Sequence, residues 1–363
     1  MLRSCLALVL LGLFLALPPG ARAADGPYTV SGVKIDATAS SASEAFNFAV
    51  DGGRREAWDK LIHRLTRQQD WDRVPPIDDA TLQRMISGYQ LANEMRSTTR
   101  YVALATYTFN ANLVRNFLRS ANIAYTDSSA QPLLVIPLSP RYAPGSPWAM
   151  AWAGLGGSVD GVPLALPGSD AQTNAALASL NFGMAGWSDV QPFAARAHAG
   201  EAVLAQVQPP VPGQMQGQLT VKLRILSPGP PQVLPDVAVA FNAGSESRGG
   251  YGDAAMAAAG AAANAWKSRK AIDFSQQATL TANVQLASLA QWGAIQQKLA
   301  SVPVVLNVDV AAMSIGEARI VLTYAGTASQ LNDFLSQAAL TLANRNGTWW
   351  LGAKPTAAAM ENP

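Results

Sequence analysis

The chain has 363 residues, of which 49% are hydrophobic and 14% are charged. That length predicts two or three domains with sizeable cores, and the composition excludes disordered, collagen-like and disulfide-stapled proteins. The formal net charge is only +2. A chain so nearly balanced gives no reason to expect nucleic-acid or anionic-membrane binding as its main activity.

Residues 1–23 have the pattern of a cleavable export signal. Arg3 supplies the positive start, Leu6 to Leu17 is an apolar run, and Ala21-Arg22-Ala23 fits a small-x-small cleavage site. The run is shorter than the roughly 20 residues of a membrane span. No later stretch of that length is free of charged and turn residues, so we predict no transmembrane segment. We expect a soluble periplasmic chain that begins at Ala24.

Cys5 is the only cysteine, and it precedes the apolar run, whereas a lipoprotein cysteine directly follows such a run. We therefore expect no lipid anchor. Cleavage removes Cys5 together with Arg3 and Arg22, which reduces the 26 basic side chains to 24, equal to the 24 acidic ones. The mature chain then lacks a thiol nucleophile, a thiolate metal ligand and any disulfide.

Residues 24–130 are predicted to form a first unit in the order βααββα. The first strand alternates apolar and polar residues, and apolar residues of the following long helix recur at spacings of three and four. The predicted strands cover 28–37, 89–97 and 100–109, and the helices cover 43–69, 78–87 and 110–121.

Residues 131–272 are predicted to form a middle unit, a small sheet flanked by helices. Pro132–Pro137 and Ala202–Val207 are continuous apolar runs typical of strands buried on both faces. A Pro-, Gly- and Trp-rich loop is expected over 139–161. The other predicted strands cover 162–166, 219–226 and 237–241, and the helices cover 170–180, 187–198 and 253–270.

Residues 273–353 predict a third unit with the order β-α-β-β-α-β, which is that of a ferredoxin-like split βαβ fold. Its strands are predicted over 278–286, 304–310 and 318–324, and its helices over 288–300 and 327–338. Asn346-Gly347 predicts a terminal hairpin between Leu340 and Leu351. Residues 354–363 are expected to be a disordered tail. The fold class is therefore α+β or α/β, in three small sheet-plus-helix units.

No set of residues has the pattern of a catalytic, cofactor or metal site. His63 and His198 are interpreted as a surface and a helix-end histidine, and there is no Gly-x-Ser-x-Gly elbow or His-x-x-x-His pair. Asp70-Trp71-Asp72 is interpreted as a solvated loop. Gly154-Leu155-Gly156-Gly157 lacks the Lys-Ser/Thr of a phosphate-binding loop and is interpreted as a flexible loop.

Tryptophans supply the candidate interaction surface. Those of the middle unit either line a binding cleft or pack in the core, and core packing is the favoured alternative. Trp349 and Trp350 point to opposite faces of one terminal strand, so one of them is expected to be partly exposed. Trp266 belongs to the same possible cleft in the middle unit. The candidate surface comprises Trp148, Trp152, Trp187, Trp349 and Trp350.

Several of these motifs, in this order, resemble the domain-of-unknown-function 2066 (DUF2066) family of exported bacterial proteins. The similar segments are the first strand with its long helix, Arg100–Ala103 with Phe109, Pro132–Pro137, Gly161–Leu164 with Asp170, and Ala195–Leu204. The loop over 139–161 and the Pro-rich connector over 209–217 depart from the family. The resemblance implies an envelope protein and supplies no catalytic residues. The middle unit also looks like the α/β domains of Tol-system and penicillin-binding-protein activator lipoproteins, at the level of fold.

Three functions fit these observations. The first is a non-enzymatic periplasmic adaptor or assembly factor, without a cofactor, that docks envelope proteins. The second is a small-molecule or glycan binding protein that uses the Trp-rich middle unit. The third is a hydrolase that uses carboxylates alone, with Asp70 and Asp72 as the most visible pair.

Overall fold

The computed structural model describes residues 26–208, 215–243 and 250–354, which form three sheets with helices packed on them. This confirms the predicted class of sheet-plus-helix units. The predicted signal peptide and, apart from Lys354, the predicted tail lie outside the described residues. Within those ranges, no helix combines the length and apolar character needed to cross a membrane.

The first sheet is antiparallel, with the strand order β1-β3-β2. Alternate residues of β3, from Tyr101 to Phe109, are buried beneath the helices. Its strands are β1 (Thr29–Thr38), β2 (Ile86–Arg96) and β3 (Arg100–Phe109), and its helices are α1 (Ala42–Leu65), α2 (Asp79–Met85) and α3 (Ala111–Ser120), with a 3₁₀ helix over Gln68–Arg73.

Helix α1 lies very close to the first sheet. It begins after Ser41, whose side chain accepts a hydrogen bond from the Glu44 amide. A Cβ atom at Gly53 would collide with the side chains of Ile35 and Tyr107. Glycine at this position therefore sets the distance between the helix and the sheet.

The middle sheet is mixed, with the strand order β10-β8-β7-β4-β6-β5 and β9 paired to β8. Strand β4 is parallel to β6 and β7, and every residue of it is buried. The elements are β4 (Leu133–Leu138), α4 (Pro147–Ala153), β5 (Ser158–Val159), β6 (Val162–Ala165), α5 (Ala171–Ala178), α6 (Trp187–Arg196), β7 (Glu201–Gln208), β8 (Gln216–Leu226), β9 (Gln232–Val233), β10 (Val237–Asn242) and α7 (Tyr251–Lys270).

Helices cover both faces of the middle sheet. One hydrophobic cluster joins the sheet to α4 and α7, and a second joins it to α5 and α6. The prediction of a loop over 139–161 is wrong for α4 and for the two-residue strand β5. The Ser146 side chain accepts from the Ala149 amide, and Pro147 occupies the first turn, so the segment carries its own helix start.

The third sheet has the strand order β12-β13-β11-β15-β14. The predicted order of elements is present with one added strand, because the terminal hairpin contributes two. β15 lies beside β11 and runs parallel to it, with Leu351 buried in the core, and β14 forms the edge. The elements are β11 (Gln277–Gln285), α8 (Leu289–Ser301), β12 (Val305–Met313), β13 (Glu317–Ala325), α9 (Ala328–Gln337), β14 (Leu340–Arg345) and β15 (Thr348–Ala353).

The first and third sheets share one hydrophobic cluster. Tyr125, at the end of the first unit, and Ile272, the last residue of the predicted middle unit, form an isolated antiparallel β-bridge, in which the Ile272 amide donates to the Tyr125 carbonyl at 2.9 Å. The chain thus leaves this two-sheet body (residues 26–126 and 272–354) and re-enters it at adjacent points. The middle unit (residues 131–271) is inserted between them.

Candidate functional site

Trp148 and Trp152 lie in the core of the middle unit. Both side chains are buried, and their rings pack edge to face with centroids 5.6 Å apart. The Trp148 indole N–H donates to the Ala205 carbonyl at 2.9 Å. The prediction that these two residues belong to an interaction surface is therefore wrong, because their spacing of four on α4 turns both rings toward the sheet.

The other three predicted tryptophans are half-buried and lie in separate places. Trp187 packs against the cluster formed with α5 and α6, and Trp349 packs against the core of the two-sheet body. Trp350 is level with Asn283 of β11, on the opposite face of β15 from Trp349. The structure does not bring Trp187 together with Trp349 and Trp350, so they form no common surface.

Trp266, on the last turns of α7, lines two cavities. A cavity of about 370 Å³ lies between the middle unit and the third sheet, and one of about 320 Å³ lies toward the first sheet. Trp266, Ser128 and Ser129 line both cavities. We call the two cavities together the junction groove, because they follow the boundary between the middle unit and the two-sheet body.

Two carboxylates and two cations line the junction groove, and one of these cations, Arg64 at the narrower cavity, donates to the Thr29 carbonyl. The Glu201 carboxylate accepts from the Arg269 guanidinium at 2.5 Å, and Lys270 lies 3.9 Å from Asp333 across the wider cavity. The Gln330 amide is bound to backbone, since its Nε2 donates to the Ala271 carbonyl at 3.0 Å. The groove therefore offers indole, hydroxyl and amide groups with little net charge.

Lys267 is fully buried where α7 of the middle unit meets α1. His63 lies in the last turn of α1, and its carbonyl accepts a hydrogen bond from Lys267 Nζ at 2.5 Å. The same Nζ lies 3.9 Å from the Asp160 carboxylate. Burial lowers the pKa of Lys267 to about 8, and the charge of Asp160 opposes that shift. A cation at a helix C-terminus is favourable, so Lys267 ties the middle unit to the end of α1.

His63 is not the surface histidine that the sequence predicts. Its ring stacks on Trp71 with centroids 3.7 Å apart, and the residue is half-buried. Burial lowers the pKa of His63 below its usual value, and the nearby acidic groups Asp160 and Asp59 oppose the shift. The stack packs beside Lys267, whose Nζ lies 5.8 Å from the Trp71 ring centroid.

The solvated-loop interpretation of Asp70 is also wrong. Asp70 is buried in the 3₁₀ helix and accepts from Arg67 at 2.6 Å and from Arg73 at 2.9 Å. Asp72 is exposed. The two carboxylates therefore lie in different surroundings, and the arginine pairing gives Asp70 a structural role.

The remaining sequence candidates have local structural roles. His198 is exposed and adopts a left-handed φ of 52° just after α6, as its helix-end interpretation predicts. Gly156 and Gly157 have φ values of 75° and 87°, which suit the turn between α4 and β5. Among the described residues, no three His, Cys, Asp or Glu side chains are grouped so as to hold a metal ion.

Strand β12 is an exposed edge of the third sheet. Among the described strands it pairs only with β13, and most of its residues are exposed. The Leu286 amide donates to the Gly316 carbonyl at 2.9 Å, which brings the start of α8 beside the β12–β13 turn. Exposed apolar side chains follow this edge and its end. We call these residues the β12 edge: Leu289, Leu306, Val310, Met313 and Ile315.

No family model matches the sequence, and no curated protein matches it either.

Proposed function

We propose that this chain is an exported, non-enzymatic envelope protein that docks other envelope proteins in the periplasm. Support for export comes from the signal pattern of residues 1–23. The resemblance to the DUF2066 family supports an envelope location. The β12 edge is the observation that carries the docking function.

An edge strand has backbone N–H and C=O groups without a neighbouring strand, and proteins commonly shield long apolar edges. β12 has nine residues and no proline, and Ile315 in the turn that follows is completely exposed. Exposed apolar groups concentrated on an edge mark an interaction site. An extended segment of another protein would add a strand there, with its apolar side chains against Leu306 and Val310.

The opposite edge of the same sheet provides a comparison. β14 has its two leucines, Leu340 and Leu342, buried, and its exposed residues are small or polar, such as Thr341 and Asn344. Both edges have free backbone groups, but only the β12 edge has exposed large apolar side chains. We therefore assign docking to β12 and use β14 as the matched control.

The test is crosslinking in the periplasm from a photoreactive amino acid placed at Leu306 or Ile315, with Thr341 and Asn344 as control positions. We expect both β12-edge positions to capture the same envelope protein and the β14 positions to capture none. Ile315→Asp should abolish capture from Leu306, because a carboxylate cannot be buried in an apolar contact without cost.

Equal capture from both edges, or no capture by a folded and exported chain, would overturn this assignment. Turnover of an envelope substrate by the purified chain, without protein binding, would contradict the non-enzymatic part of the proposal.

A further inference from the structure

We propose that the junction groove is a binding site for an uncharged oligosaccharide. This inference goes beyond protein docking and rests on different residues, since the groove lies at the boundary of the middle unit and the β12 edge does not line it.

Trp266 is placed as a platform for a sugar ring. It is half-buried, packs on the core of the middle unit and lines both cavities. A ring held in this way is fixed by the core on one side and accessible on the other. Phe334, from α9 of the third sheet, lines the wider cavity as a second aromatic group. The apolar faces of sugar rings match such surfaces.

The polar groups of the groove suit hydroxyl ligands. Ser128 and Ser129 line both cavities, and the amides of Gln131 and Gln337 line the wider one. Hydroxyls and amides both donate and accept hydrogen bonds, as a sugar hydroxyl also does. These groups can therefore orient a polyhydroxylated ligand without a formal charge.

The charge pattern disfavours a strongly ionic ligand. Two carboxylates, Glu201 and Asp333, and two cations, Lys270 and Arg64, line the groove, so its lining charges balance. A site for an anion or a cation would present an excess of one sign.

The shape favours a chain over a compact metabolite. Each cavity is near the lower end of the range of small-molecule sites, roughly 300–1,000 Å³. Trp266, Ser128 and Ser129 line both cavities, so the two cavities lie next to each other along the boundary, one toward the third sheet and one toward the first. An oligosaccharide with consecutive rings fits this arrangement.

The test is calorimetric titration of the purified chain with chitotetraose and with maltotetraose. Trp266→Ala is compared with Trp187→Ala, which removes a half-buried middle-unit tryptophan that lines neither cavity. We expect saturable binding of at least one of the two sugars, weakened about tenfold or more by Trp266→Ala and unchanged by Trp187→Ala.

A second variant covers the case in which Trp266→Ala does not fold. Gln337 and Asp333 are exposed on α9, so the double change Asp333→Ala and Gln337→Ala should leave the fold intact and still weaken binding. The proposal is overturned if neither sugar binds at millimolar concentration. It is also overturned if a sugar binds with equal affinity to the wild type and to the folded groove variants.

Discussion

Two boundaries within this chain are built in opposite ways. Where the first sheet meets the third, Tyr125 is buried, its ring stacks on Phe274 with centroids 5.2 Å apart, and Arg119 lies over Phe274 at 4.3 Å. Where the middle unit meets the first sheet, the contacts include a hydrogen bond that the Lys267 ammonium group donates to the His63 carbonyl. Two cavities also open along that second boundary.

The difference predicts how the molecule behaves. Apolar burial stabilises by roughly 25 cal/mol per Å², whereas a typical hydrogen bond contributes only about 0.5–1.5 kcal/mol net. The two-sheet body should therefore unfold as one unit, and the middle unit should open from it at lower cost. The junction groove lies on the boundary that we expect to move.

Among the substitutions, Tyr125→Ala is expected to lower the free energy of unfolding the most. Removing a buried aromatic side chain lowers the free energy of unfolding by about 3–5 kcal/mol. Because Tyr125 lies where the two sheets meet, we expect the first and third sheets to lose stability together. Tyr125→Phe is the control, because it keeps the ring and loses only the bond that Tyr125 Oη accepts from Arg119 at 3.1 Å. Urea unfolding followed at probes in each sheet measures both variants. A loss of stability at the probes of only one of the two sheets would contradict a core shared by both.

A smaller effect is expected within the two-sheet body from Gly53→Ala. The added methyl group would collide with Ile35 and Tyr107, and overpacking typically costs about 1–3 kcal/mol. Gly52→Ala is the matched control on the same helix, since Gly52 is exposed with nothing within 4 Å of a Cβ atom. It should raise the free energy of unfolding by about 0.5–1 kcal/mol. Similar changes from both variants would show that α1 is not in close contact with the sheet.

The smallest expected effect is the pH dependence of stability that Lys267 causes at the boundary between the middle unit and the first sheet. Burial lowers the pKa of Lys267 from 10.5 to about 8. Between these values the unfolded chain holds a proton that the folded chain has released, so the free energy of unfolding rises with pH, by at most about 1.4 kcal/mol per pH unit. Lys267→Met should lack this rise. The check is urea unfolding of both proteins at about pH 7.5 and about pH 9.5, and parallel pH profiles would contradict a buried lysine.

Local sequence patterns predict most elements of this fold. The alternation from Tyr101 to Phe109 predicts β3 to its terminal residues, because one face of that strand is buried. Helix α4 and the two-residue strands β5 and β9 are exceptions. The α4 segment has local start signals in Ser146 and Pro147, but it is also rich in proline, glycine and tryptophan, which favours a loop. The packing of Trp148 and Trp152 on the sheet, which stabilises the helix, is a tertiary contact that local propensity does not include.

The site is much less predictable than the elements. Lys267 and His63 are 204 positions apart, and their contact depends on how the middle unit is inserted. Asp70 is buried between two arginines that are each three residues away in sequence, but spacing alone does not separate a buried ion pair from a solvated one. The helical pattern of α7 predicts Trp266 as a core residue. It lines cavities because residues of the first and third units lie opposite it, which the sequence pattern does not show.

Native-state hydrogen exchange of the purified chain shows whether the middle unit opens separately from the two-sheet body, because it gives a free energy of opening for each segment. Separate opening predicts one common value for the central strands β3, β11 and β13 of the two-sheet body and a lower value for β7 and β8 of the middle unit. A single value for all three sheets, or different values for the first and third sheets, would contradict it.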